Sequence, residues 1–150
     1  MEILNFPEFR FDFKKQEDKI LIYDIIRKKH VILTPEEWVR QHLVHFLIFK
    51  KFFPKSLMKV ESGLNYHKKQ KRADLIIYND SGVPFIIAEC KSPKSIINQN
   101  ALFQIGVYQK SISPKYLIVT NGITHFVWRK NNDLSRYDQI PEIPEWDYIS

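Results

Sequence analysis

The sequence predicts an α/β domain: a mixed β-sheet flanked by helices, with a β-hairpin ahead of it. Three observations point there. Short runs rich in β-branched residues recur along the chain, among them ILIY, DLIIY, PFIIAEC and YLIVT. One longer stretch, TPEEWVRQHLVHFLIFKKFF, carries apolar residues at helical spacing instead. Turn signals such as Asn79-Asp80-Ser81-Gly82 and Asn121-Gly122 separate the runs. With 150 residues the chain fits one domain, 1–150. A domain of that size buries roughly 68–70% of its unfolded surface, enough for a core without covalent staples.

Taken in order, residues 1–33 form an N-terminal extension. FRFDF alternates Phe9, Phe11 and Phe13 with polar residues and reads as a strand. ILIYDIIRKKHVIL reads as a hairpin around a basic RKKH turn. The helix then opens at Thr34, a good N-cap, with Pro35 at its first position and Glu37 spaced for a capping box. Val39, Leu43, Phe46, Leu47 and Phe53 form its apolar stripe, and Pro54 is expected to end it. Residues 57–66 suggest a strand broken near Ser62-Gly63. KRADLIIYND and VPFIIAEC are two strong strands expected to pair across the Asn79–Gly82 turn, the second apolar on both faces. KSPKSIINQN reads as a loop, and a helix is expected from about Asn98 to Ser111. YLIVT and ITHFVWR are further strands, closing a core of 34–130. The remainder, 131–150, holds Pro141 and Pro144 and reads as an extended tail or packed arm.

Composition narrows the function. No apolar stretch approaches the ~20 residues that span a bilayer, and the first residues lack a secretory pattern, so a cytoplasmic protein without a membrane role is expected. A single cysteine, Cys90, excludes an internal disulfide and a cysteine-based zinc cage. The net charge is +6, and between Lys50 and Arg72 eight basic residues face one acid, Glu61. That cluster is either a charged edge that resists aggregation or a contact for a polyanion.

The chemistry concentrates at Asp74, Glu89 and Lys91. Asp74 lies near the start of one strong strand and Glu89 at the end of the next. Pairing through the turn brings them to the same end of the sheet as near neighbours, with a bulge able to adjust the register. Glu89 and Lys91 share strand parity. Carboxylates, with the Cys90 carbonyl between Glu89 and Lys91, are hard oxygen donors suited to Mg²⁺, for which Mn²⁺ can substitute. A bound ion lowers the pKa of its water, which Lys91 can orient or deprotonate while stabilising charge on a phosphate.

Asp74…Glu89-Cys90-Lys91, set in RADLIIY and PFIIAECK, resembles the PD-(D/E)XK nuclease signature. Over roughly Thr34 to Arg129 the chain is similar to the N-terminal nuclease domain of type I restriction enzyme restriction subunits and its short stand-alone relatives. The resemblance implies a restriction-endonuclease-like sheet and a Mg²⁺-dependent deoxyribonuclease. It implies an acid on the first helix in the pattern E-x-x-V-R-x-x-L. Glu36, Val39, Arg40 and Leu43 fit it, so Glu36 is the acid expected to support the metal, directly or through water, with Glu37 as the fallback. It also implies a Q-x-x-x-Y pair on the helix after the E-x-K strand, matched by Gln104 and Tyr108. Lys68, Lys69, Lys71 and Arg72 lead straight into Asp74 and become candidates for DNA phosphate contacts. Implied partners are DNA and restriction-modification or helicase-type subunits; a homodimer stays open. No G-x-x-x-x-G-K-[ST] phosphate loop occurs, so the chain has no ATP-driven motor of its own.

Each residue has a plainer reading. Asp74 could pair with Lys71 or Arg72 at the surface, and Glu89 with Lys91 in a buried pair. Glu36 suits the helix dipole, Gln104 and Tyr108 a polar stripe, and the lysines a solvated turn. A nucleic-acid-binding module that keeps the fold without cleaving is therefore the alternative function, and a protein-interaction domain a third.

Overall fold

Alternating apolar residues build two sheets in this chain. The computed structural model describes residues 1–66, 69–98 and 112–147, with side chains described outside 61–72. A three-stranded antiparallel sheet comes first: β1 (Phe13–Gln16), β2 (Lys19–Asp24) and β3 (Lys29–Ile32). Helix α1 (Pro35–Phe49) and a single 3-10 turn (Lys55–Leu57) follow. The second sheet has six strands in sequence order: β4 (Met58–Tyr66), β5 (Lys69–Tyr78), β6 (Pro84–Cys90), β7 (Tyr116–Thr120), β8 (His125–Asn131) and β9 (Arg136–Ile140). All neighbours pair antiparallel except β6 and β7, which run parallel. The chain between those two is long enough for the crossover that parallel pairing demands. The sheet is thus mixed, as the sequence predicts.

Several boundaries differ from the sequence reading. Strand β1 starts at Phe13, not Phe9. Phe9 and Phe11 instead lay their rings on α1, where Phe11 sits 4.6 Å from His45 and 4.9 Å from His42. Alternation serves a segment covering a helix as well as one pairing in a sheet. Helix α1 ends at Phe49, before Pro54, because the Lys51 N–H turns back to the Phe46 carbonyl, the Phe53 N–H to the Leu47 carbonyl, and Phe52 turns left-handed at φ 64°. Strand β4 runs unbroken through Ser62-Gly63, its register with β5 continuing to Tyr66↔Lys69. The C-terminal stretch contributes β9 and then a packed arm: the Trp146 N–H donates to the Lys51 carbonyl, and its ring lies 5.5 Å from Phe53. The helix predicted from about Asn98 to Ser111 lies outside the described residues.

The core has two layers, one on each face of the six-stranded sheet. Val39, Leu43, Val44 and Leu47 of α1 pack on Leu75, Ile77, Ile86, Ala88 and Ile118. The opposite face gathers Ile76, Ile87, Leu117, Val119 and Trp128. Each fully buried aliphatic side chain contributes about 1.5–3 kcal/mol relative to exposure, so β5, β6 and β7 are the firm centre from which the site projects. Among the described residues no helix is long and apolar enough to cross a membrane.

Candidate active site

Strand pairing sets the site. In β5 and β6 the register runs Leu75↔Ala88, Ile76↔Ile87, Ile77↔Ile86 and then Tyr78↔Pro84. The step from Ile86 to Pro84 leaves Phe85 as an extra residue, a bulge beside the turn. Asn79 closes that turn by accepting from the Ser81 and Val83 N–H groups, with Gly82 at φ 78°. Continuing the register by one step sets Asp74, in the middle of β5, across from Glu89 near the end of β6, so both carboxylates leave adjacent backbone positions.

The strands stop exchanging backbone bonds at that point, and Asp74 takes over. Its Oδ2 accepts the Cys90 N–H at 2.7 Å. On the other edge of β6 the Lys91 N–H donates to the Thr120 carbonyl of β7 at 2.8 Å. Glu89-Cys90-Lys91 is therefore pinned from both sides, by a side chain of β5 and by the backbone of β7. Along β6, Ala88 and Cys90 pack on the α1 side and Ile87 on the opposite side, so alternation directs Glu89 with Ile87. Glu89 and Lys91 are half-buried.

Helix α1 adds a partner that motif reading used only as a pattern letter. Arg40, 4% exposed, donates from Nη2 to Asp74 Oδ1 at 3.3 Å and from Nη1 to Glu37 Oε1 at 3.1 Å. Glu37 also accepts from Gln41 Nε2 at 3.0 Å and from Arg27 Nη2 at 2.7 Å. Arg27 in turn donates from Nε to Asp24 Oδ2 at 2.6 Å, and Asp24 is fully buried. Burial works against the Asp24 charge, but the hydrogen bonds from the Arg27 side chain and from the Arg27 and Ile26 N–H groups outweigh it and hold its carboxyl below the usual range. Burial likewise opposes the Arg27 charge, and bonds to Glu37 and Asp24 raise it above its ordinary value. The result is a row of alternating charge from the N-terminal sheet to Asp74.

The helix acid tied to Asp74 is thus Glu37, whereas Glu36 is exposed in the first turn. Glu37 also keeps its cap contact: its N–H donates to Thr34 Oγ1 at 3.0 Å, leaving the carboxylate for the arginines. The spacing Glu37, Arg40, Gln41 marks one helical face, and polar residues on a face shared with Val44 are the signal that could have revealed it. Lys69, Lys71 and Arg72 are strand positions of β5, opposite Tyr66, Leu64 and Gly63, rather than a turn. Lys68, Gln104 and Tyr108 lie outside the described residues.

Burial, then the Asp74 carboxylate, push the Cys90 thiol well above its ordinary value; Arg40 offsets part of this, and Glu89 and Glu37 add to it. Both Asp74 and Glu89 lie within electrostatic reach of that thiol. The donor set suits a hard cation in chemistry: a carboxylate offers about four acceptor positions, and Arg40 and the Cys90 N–H each bond a different Asp74 oxygen. Among the described residues, however, no three His, Cys, Asp or Glu side chains are gathered as a ready metal cage.

Residues 35–144 match the family model described as the type I restriction enzyme R protein N terminus. A solved fragment described as an HsdR subunit of a type I restriction enzyme from Vibrio vulnificus YJ016 shares the fold. Its TM-score is 0.53 at 17% identity, over 75% of this chain and 24% of that one. The chain thus spans about a quarter of the length of that neighbour. No curated protein matches the chain.

Proposed function

This chain belongs to the family of type I restriction enzyme R protein N termini, and from that premise we propose that it is a metal-dependent nuclease domain acting on DNA. The observation that carries the reading is the placement of Asp74 against the Cys90 N–H, which docks the first carboxylate onto the Glu89-Cys90-Lys91 segment. Asp74, Glu89 and the Cys90 carbonyl would hold Mg²⁺, or Mn²⁺ in its place. The ion would supply a water of lowered pKa as the attacking group. Lys91 orients that water and offsets charge on the phosphate. Glu37, and Glu36 if the first turn adjusts, support the metal side. Lys68, Lys69, Lys71 and Arg72 track the phosphates, and Gln104 and Tyr108 position the backbone. Restriction-modification or helicase-type subunits are the partners this reading supplies, since the family is that of a restriction enzyme subunit.

The test is cleavage of supercoiled and linear DNA with Mg²⁺ or Mn²⁺, wild type beside Asp74→Ala and Lys91→Ala. Activity lost in both variants and in chelator is the expected result. Equal activity in all three preparations overturns the assignment.

A second reading, a nucleic-acid-binding module that keeps the fold without cleaving, is favoured by the protein donors already bonded to both Asp74 oxygens. Salt-dependent DNA binding with no cleavage under any metal is its signature.

A further inference from the structure

The family match begins at residue 35, yet the row of charges that ends on Asp74 begins before it. Asp24 closes the turn after β2, accepting from the Ile26 and Arg27 N–H groups at 2.7 and 3.0 Å. This fixes the backbone of Arg27, and its Nε bond to Asp24 Oδ2 fixes the guanidinium plane. The remaining edge of the fork reaches Glu37 Oε1, the same oxygen that accepts from Arg40. Glu37 therefore lies between two arginines, and Arg40 lies between two carboxylates, Glu37 and Asp74. Every side chain from Asp24 to Arg40 in this row is at most 17% exposed. At such burial, charge-assisted bonds are strong and geometrically restrictive.

We infer that Arg27, brought in by the N-terminal sheet, is a positioning residue of the candidate site, acting on Asp74 through Glu37 and Arg40. The inference rests on the nuclease reading for its consequence. The N-terminal sheet is then part of the site's support, not an appendage ahead of the family domain.

The experiment uses the full chain and the Cys90 amide as reporter, because that N–H bonds directly to Asp74. Arg27→Met and Arg27→Lys are compared with wild type by ¹⁵N amide shifts, hydrogen exchange and single-turnover cleavage. Lysine keeps a charge but cannot hold two carboxylates in a fork, so it tests geometry if the methionine variant does not fold. The expected result is a shifted Cys90 amide and about tenfold faster exchange there, equivalent to about 1.4 kcal/mol. The Leu117 and Val119 amides on β7 stay unchanged, and the cleavage rate falls with little change in DNA affinity. A folded variant whose Cys90 amide keeps its shift and exchange rate overturns the inference. A Cys90 amide that responds in a protein whose wild type never cleaves DNA supports the positioning role and removes the nuclease reading instead.

Discussion

Arg40 donates to Glu37 and Asp74 while its side chain is only 5% exposed. Arg40→Met keeps much of the length and leaves those carboxylates short of a buried cation. Removing one partner of a buried ion pair costs about 3–5 kcal/mol, so urea unfolding should show a loss of that order; a loss below about 1 kcal/mol would mean the network relaxes into solvent. Gly122 gives an independent case. It sits at φ 86°, and an added Cβ would meet Leu4 Cδ2 at 2.8 Å and Val39 Cγ2 at 3.1 Å. Gly122→Ala combines backbone strain with a clash against the core, and about 1–3 kcal/mol should be lost. A thermal melt matching wild type would refute that. Asp74 and the Glu89-Cys90-Lys91 segment were legible in sequence because strand order and a turn bring them together locally. Glu37 was named only as the fallback acid and Arg40 only as a pattern residue, and Arg27 and Asp24 not at all, because a charged residue on a helix or turn does not reveal which partner buries it. Glu37 looked committed to the cap, whereas backbone and carboxylate do separate work.

At the scale of elements, α1 illustrates what local rules capture. Thr34 caps it at φ −104°, ψ 165°, and Pro35 occupies the first turn. Thr34→Ala removes the Oγ1 acceptor of the Glu37 N–H and should cost about 1 kcal/mol. Thr34→Asp should hold stability near wild type, and both are read by chemical denaturation. If the alanine costs nothing, the cap is not what places Glu37. The central strands were equally legible, since runs such as FIIAEC have no other economical home than a covered sheet. Strand β9 was hidden: RYDQI has few apolar residues, burying only part of its surface at the sheet edge, and prolines follow it closely. The FRFDF alternation misled for a complementary reason. Rings spaced by two can line up along a helix surface without a neighbouring strand, and here they cover Trp38, His42 and His45.

The whole molecule carries an acid response that follows from that aromatic cover and from Phe6 beside His125. His42, His45 and His125 are all held below their ordinary value of 6.5, in each case chiefly because burial disfavours the charged ring. Backbone carbonyls of Trp38, Gln41 and Asn5 pull the other way without cancelling it. The unfolded chain therefore binds protons more readily than the folded one once the pH drops below about 6.5. Their stabilising contribution is complete above that value and is lost as pH falls from there through the lowered folded values. Asp24 acts in a separate, more acidic window: its contribution is present above its ordinary 3.8 and disappears as pH falls through its depressed folded value. Thermal unfolding from pH 8 into the acid range well below 3.8 should consequently fall in two stages, and His45→Gln should make the upper stage shallower, with His42 and His125 keeping part of it. The net charge of +6 adds repulsion that grows smoothly with acid, so it deepens the slope without creating the steps. A midpoint that stays level from pH 7.5 to 5 in wild type would mean the histidines titrate as though exposed, and the Phe9–Phe11 cover over α1 would not hold in solution.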